Sequence, residues 1–131
     1  MVRPMPFAVA IAHERDHLAV SASGPAKLAD VLGLIDLTAT IAKMAGHRRV
    51  LLNMLHVEIA FAFTEHLQLG AYAAERLGAM ERVASIVDPR LRIGTSEKAA
   101  QKMGLQLRTF TSLDEGVQWL AGDLRASRPG T

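Results

Sequence analysis

From Arg49 onward, short apolar runs alternate with helix-like stretches. Val50-Leu51-Leu52-Asn53-Met54-Leu55 precedes a long amphipathic segment, Val83-Ala84-Ser85-Ile86-Val87 precedes a short one, and Leu105 to Phe110 precedes a last one. Apolar runs spaced by helical patterns predict parallel strands covered on both faces, so the chain reads as an α/β domain and not as a bundle or a β-sandwich. Ahead of them, Phe7 to Ala12 and Leu18 to Ser23 flank the polar cluster His13-Glu14-Arg15-Asp16-His17. That arrangement predicts an antiparallel hairpin, and hence a mixed sheet of about five strands.

The helical segments are predicted from period and punctuation. Pro25 suits a first helical position, and the helix it opens is expected to run to about Ala45, with Leu28, Val31, Leu32, Ile35, Ala39 and Ala42 facing the sheet. A second helix is expected from about Ile59. It would present Phe63, Leu67, Gly70, Ala74 and Leu77 inward, and Phe61, Glu65, Gln68, Tyr72 and Glu75 outward. Asp88-Pro89 ends a strand, Thr95 or Ser96 is expected to cap a short helix closing at Gly104, and Ser112 is expected to cap the last helix. Leu113, Val117, Leu120 and Leu124 supply the buried stripe of that helix, with Trp119 as a partly buried anchor.

The length of 131 residues fits one domain, expected over residues 1–124, with residues 125–131 as a flexible tail. Half the residues are apolar, enough to leave surface for a ligand or a second subunit, and a homodimer is the expected default. Fifteen Lys and Arg against thirteen Asp and Glu, scattered along the chain, argue against a nucleic-acid partner. The chain has no cysteine, which excludes thiol catalysis, disulfides and thiolate metal sites; a cytoplasmic location is expected. No apolar stretch approaches the roughly 20 residues that span a bilayer.

Little in the sequence points to catalysis. His13-Glu14-Arg15-Asp16-His17 matches H-E-x-x-H, in which a helix sets two histidines one turn apart on zinc and the glutamate activates water. Its flanks read as strands here, so a solvated hairpin tip is expected and a zinc hydrolase is the remote alternative. No phosphate-binding glycine motif is present, and no serine-histidine-acid set has recognisable local context. No catalytic residue, metal ligand or cofactor is therefore assigned. His47 beside Arg48 and Arg49 reads as charge compensation at a helix C-terminus, and His66 as a helix-surface residue. His56 and Glu58 stand after a strand, at the edge where open α/β sheets place ligands.

A hairpin, a helix and three strand-helix units resemble the SpoIIAA-like STAS fold. The resemblance spans roughly residues 7–122 and is carried by Glu97-Lys98-Ala99-Ala100-Gln101-Lys102-Met103-Gly104, Leu105-Gln106-Leu107-Arg108-Thr109-Phe110 and Asp114-Glu115-Gly116-Val117-Gln118-Trp119-Leu120, of which Phe110 and Trp119-Leu120 are the more specific part. It implies a non-catalytic regulatory or protein-interaction domain. In the anti-sigma-factor antagonists of that family, a phosphorylatable serine stands where the third strand hands over to the next helix; here that place reads Met54-Leu55-His56-Val57-Glu58. The nearest hydroxyl downstream is Thr64, expected within the helix beside a core-facing Phe63. Expected partner contacts are His56, Glu58, Phe61, Glu65 and Tyr72. The alternative is a small carrier or sensor of an apolar, lipid-like ligand, by analogy with lipid-transfer domains of similar fold.

Overall fold

The computed structural model describes residues 6–91 and 94–122. Five strands, β1 (Ala8–His13), β2 (Leu18–Pro25), β3 (Arg49–Glu58), β4 (Arg82–Ile86) and β5 (Leu107–Phe110), lie side by side in chain order. β1 runs antiparallel to β2, and every later neighbour is parallel, which makes the sheet mixed as the sequence predicts. Four helices, α1 (Leu28–Ala45), α2 (Phe63–Leu77), α3 (Thr95–Lys102) and α4 (Leu113–Ala121), complete the order, with a 3₁₀ turn at Pro89–Leu91. The expected tail at 125–131 lies outside the described residues.

The two faces of the sheet are covered unequally. Leu18, Val20, Val50, Leu52, Val83 and Leu107 meet Leu34, Ile35 and Ala42 of α1, Ala73, Ala74 and Leu77 of α2, and Ala100 of α3 in one continuous core. On the opposite face Leu51, Ala84 and Ile86 pack against Leu120 of α4. Successive side chains of a strand point to opposite faces, so Leu51 and Leu52 are both buried, on different sides. That is why β3 and β4 read as nearly continuous apolar runs.

Several boundaries differ from expectation. Pro25 closes β2, paired with Glu58, and does not open the helix; Gly24 before it takes φ +95°, and the Ala26 amide donates to the Glu58 carbonyl at 2.9 Å. A proline at the end of a strand needs no ladder donor. α1 therefore starts three residues later, where the Lys27 amide donates to the Asp30 carboxylate at 2.8 Å. Its buried stripe is Val31, Leu34, Ile35, Thr38 and Ala42. Thr38 is tolerated because its hydroxyl donates to the Leu34 carbonyl at 2.7 Å.

α2 begins at Phe63 and not near Ile59, because Val57 and Glu58 still pair with β2. Phe63 is 66% exposed, Leu67 lies on the surface, and His66 is buried: the reverse of the sequence expectation. Gly70 explains the turn of the helix. A β-carbon there would lie 2.4 Å from the Ser96 carbonyl oxygen, so only glycine allows α2 and α3 to come this close. Gly94, not Thr95 or Ser96, stands at the N-cap of α3, with φ +81°. Ser112 caps α4 as predicted, its hydroxyl accepting from the Glu115 amide at 3.4 Å.

Buried Arg82 and half-buried Arg49 tie the far end of α4 to the sheet. Arg82 donates to the Trp119 carbonyl and lies 4.9 Å above the Trp119 ring, and Arg49 donates to the carbonyls of Leu120 and Gly122, the latter at 2.9 Å. Cations at the last carbonyls satisfy groups that a helix leaves without partners and complement its dipole. Phe110 completes the anchor, its ring centroid 5.7 Å from that of Trp119.

Candidate functional site

A groove opens at the carboxyl ends of β2, β3 and β4, where the helical connections leave the sheet. Its walls include Lys27, Asp30, His56, Glu58, Asp88 and Arg90, and its volume is about 930 Å³. One irregularity in β3 places two of these residues. Ser21 pairs with Asn53 but Ser23 with His56, so β3 carries one residue more than β2 across that interval. The Asn53 side-chain oxygen accepts from the Leu55 amide at 3.2 Å and holds the bulge. Beyond it Val57 is buried, while His56 and Glu58 are exposed.

The groove is mixed in charge. Arg90 grips Asp88 through Nε at 3.1 Å and Nη2 at 2.9 Å, and the Arg90 backbone amide adds a third bond at 2.9 Å. These contacts hold the Asp88 carboxyl down at about 2. Lys27 and Asp30 contribute the opposite wall, from the start of α1.

Behind the groove lies a second space, an apolar cavity of about 140 Å³ between the sheet and helices α1, α2 and α3. Val31, Ile35, Leu52, Met54, Leu69 and Leu105 are among its lining residues. Its polar end holds His66 and Ser96, with His66 Nδ1 3.2 Å from Ser96 Oγ, and the Phe61 ring meets that of His66 edge-on with centroids 5.5 Å apart. Ile59 lines both spaces, so the connection from β3 to α2 is the wall between them.

Of the five expected contact residues, the structure brings His56 and Glu58 together and separates the rest. Phe61 precedes α2 and turns to the cavity instead of joining an outer helix face. Glu65 accepts from the Ala62 amide at 2.9 Å and so caps α2. Tyr72 lies in the seam between α1 and α2, where its hydroxyl donates to Asp36 at 2.6 Å and Arg76 donates to the same oxygen at 2.8 Å. The Tyr72 bond, seconded by Arg76, holds Asp36 below the ordinary carboxylate range. Lys27, Asp30 and Arg90 escaped the sequence reading, although Asp88-Pro89 already marked the carboxyl end of a strand.

The H-E-x-x-H segment is not helical. His13 ends β1, while His17 is buried in the turn that follows, so the two imidazoles do not stack one helical turn apart. His13 instead meets His47, Nδ1 to Nε2 at 2.9 Å, with the rings stacked at 20°. Among the described residues, no group of three or more His, Asp or Glu side chains is placed to hold a metal ion. No helix among them is long and apolar enough to cross a membrane. Thr64 is exposed at the second position of α2, beside an equally exposed Phe63.

No protein-family model matches the sequence, and neither does any curated protein. Among solved structures, an anti-sigma factor antagonist from Mycobacterium paratuberculosis superposes with a TM-score of 0.64 at 12% identity, over 93% of this chain and all of that one. An uncharacterized protein of the DUF3478 family with a SpoIIAA-like fold, from Shewanella loihica, superposes with a TM-score of 0.56 at 21% identity, over 92% of this chain and 98% of the other. Element order, mixed pairing and superposition over nearly the whole of both neighbours agree: the chain has the SpoIIAA-like fold.

Proposed function

We propose that this chain is a non-catalytic regulatory domain of STAS type, which binds a protein partner through the groove at the carboxyl ends of β2, β3 and β4. The observation that carries the reading is the pair His56 and Glu58, turned outward by the β3 bulge into a groove with Lys27, Asp30, Asp88 and Arg90. Side by side, acceptors and donors of both signs suit a polar protein surface, and charge patterns of this kind select partners more than they add affinity. The likeness to an anti-sigma factor antagonist supports the same reading.

A tagged chain expressed in its source organism tests it. Glu58→Lys combined with Arg90→Glu reverses two exposed charges of the groove and should lose the co-purifying partner, while the thermal midpoint stays within a few degrees. A partner retained at full yield by this variant would overturn the assignment.

The apolar cavity favours a second reading, a sensor of a small apolar molecule. A cavity of about 150 Å³ accepts benzene, whereas drug-sized ligands need about 300 Å³ or more, so the volume here suits a compact ring and not an acyl chain. Benzene near saturation should raise the thermal midpoint of the wild type by a few degrees and leave the cavity-filled Ala73→Leu variant unmoved. Equal midpoints with and without benzene in the wild type would remove this reading.

A further inference from the structure

The two outer strands of the sheet are finished differently. At β5, Gln106 and Phe110 accept from β4 through their carbonyls, which leaves Leu107 and Thr109 facing outward. α3 covers both: Glu97 accepts from the Thr109 amide, and Gln101 Nε2 donates to the Leu107 carbonyl at 2.7 Å. At β1 the bond from the Glu14 amide to the His17 carbonyl sets the alternation, so Ala8, Ala10 and Ala12 turn their backbone groups to β2. Val9, Ile11 and His13 then turn theirs outward. Among the described residues, no hydrogen bond reaches those outward groups.

β1 also lacks the devices that keep an edge from pairing. It pairs with β2 through six residues without a register shift, it contains no proline, and no charged side chain occurs from Pro6 to Ala12. Val9 is 38% exposed. Sheet edges are ordinarily blunted by lysine, proline, a bulge or a covering element, and an edge with none of these is a template for another strand.

We infer that β1 pairs with β1 of a second copy of this chain, antiparallel about a twofold axis, joining two sheets into one of ten strands. The strand is self-complementary for such pairing. With Ala10 on the axis, Val9 faces Ile11 of the partner subunit as a hydrogen-bonded pair, and Ala8 faces the partner's Ala12. The register opposes no like charges, and the small side chains of Ala8, Ala10 and Ala12 let the backbones meet without obstruction. An isologous contact of this kind closes at two subunits, because each copy offers one bare edge and one sealed by α3. A second copy is favoured over an extended segment of another protein because both strands of the pair are then equally uncharged.

The absence of cysteine makes the test direct. Ala10→Cys places two thiols opposite each other at a position where antiparallel Cα atoms lie about 4.5 Å apart, within disulfide reach. With an added oxidant, this variant should convert to a covalent dimer, whereas Ala79→Cys, on an exposed turn, should not. Sedimentation of the wild type at roughly 100 μM, enough to populate even a small interface, should give twice the monomer mass. Ala10→Lys and Val9→Pro should give the monomer mass with an unchanged circular dichroism spectrum, since Val9 directs its N–H away from β2. A wild-type monomer at that concentration, or a dimer that persists in both variants while Ala10→Cys fails to cross-link, would overturn the inference. So would a monomer whose β1 edge captures an extended peptide from another protein. Loss of the groove partner with the dimer intact would instead bear only on the proposed function.

Discussion

The two margins of this sheet solve the same problem in opposite ways. β5 is short, four residues, and its outward amide and carbonyl are met by Glu97 and Gln101 of the helix that precedes it. β1 is longer, apolar and bare among the described residues. The difference follows from connectivity. A parallel strand needs a crossover helix, and that helix can hang over the margin it builds, whereas a hairpin strand is joined to its neighbour by a tight turn with nothing to spare for cover. Where the chain comes by hairpin, protection must come from the strand's own residues or from another molecule.

The comparison breaks most severely if α3 is pushed off. Gly70→Val would drive side-chain atoms into the Ser96 carbonyl region and should destabilise the protein by about 3 kcal/mol in urea titration. Hydrogen exchange should then quicken in α3 and β5, while β2 and β3 keep their protection. Arg82→Ala should cost about 2 kcal/mol by the same titration, because the Trp119 carbonyl loses a charged donor at a buried site.

Removing the seal while leaving α3 in place sharpens the contrast. Glu97→Ala with Gln101→Ala should lower stability by about 1 kcal/mol, and it leaves the protein with two bare margins. Light scattering should then show growth beyond a dimer, because head-to-tail and self-paired contacts no longer close. Equal particle size in the double variant and the wild type would mean that the Glu97 and Gln101 contacts protect nothing.

The smallest effect concerns the turn that joins β1 to β2. Burial lowers the His17 pKa below its ordinary value, against the attraction of Glu14 and Asp16. A histidine with a depressed folded value is bound by more protons in the unfolded chain, so its contribution is complete above about pH 6.5 and declines as pH falls through the folded value. Thermal midpoints measured between pH 7.5 and 5 should therefore drop, and His17→Phe should flatten part of that slope.

The fold was legible because its cause is written in one dimension. Strands buried on both faces must be apolar almost without interruption, and the runs at Val50 and Val83 have no other use; the run into β5 alternates instead, with Gln106 and Arg108 exposed beside buried Leu105 and Leu107. The phase of the helices was less legible. Phe63 and Leu67 have the right character for a core stripe, but the placement of α2 is decided by what Gly70 lets α3 do, a contact across 26 residues that no local period records. His66 was misread for the same reason. The groove was half visible: His56 and Glu58 follow a strand, yet Lys27, Asp30 and Arg90 come to them from separate connections. Phe61 and Tyr72 carried the wrong weight, because aromatic character alone does not distinguish a cavity lining or a helix seam from an outward face.

One surplus residue in β3 also bears on how this chain can change over time. A deletion anywhere between Asn53 and His56 would restore even pairing with β2, and most of the ladder would survive it. Val57 would still lie opposite Gly24 and Glu58 opposite Pro25, so the side chains downstream would keep their present faces. Loss of one residue at the bulge is therefore a gentler change of length than loss of one from the regularly paired stretch Val50 to Asn53, where a slip of one residue carries side chains to the opposite face.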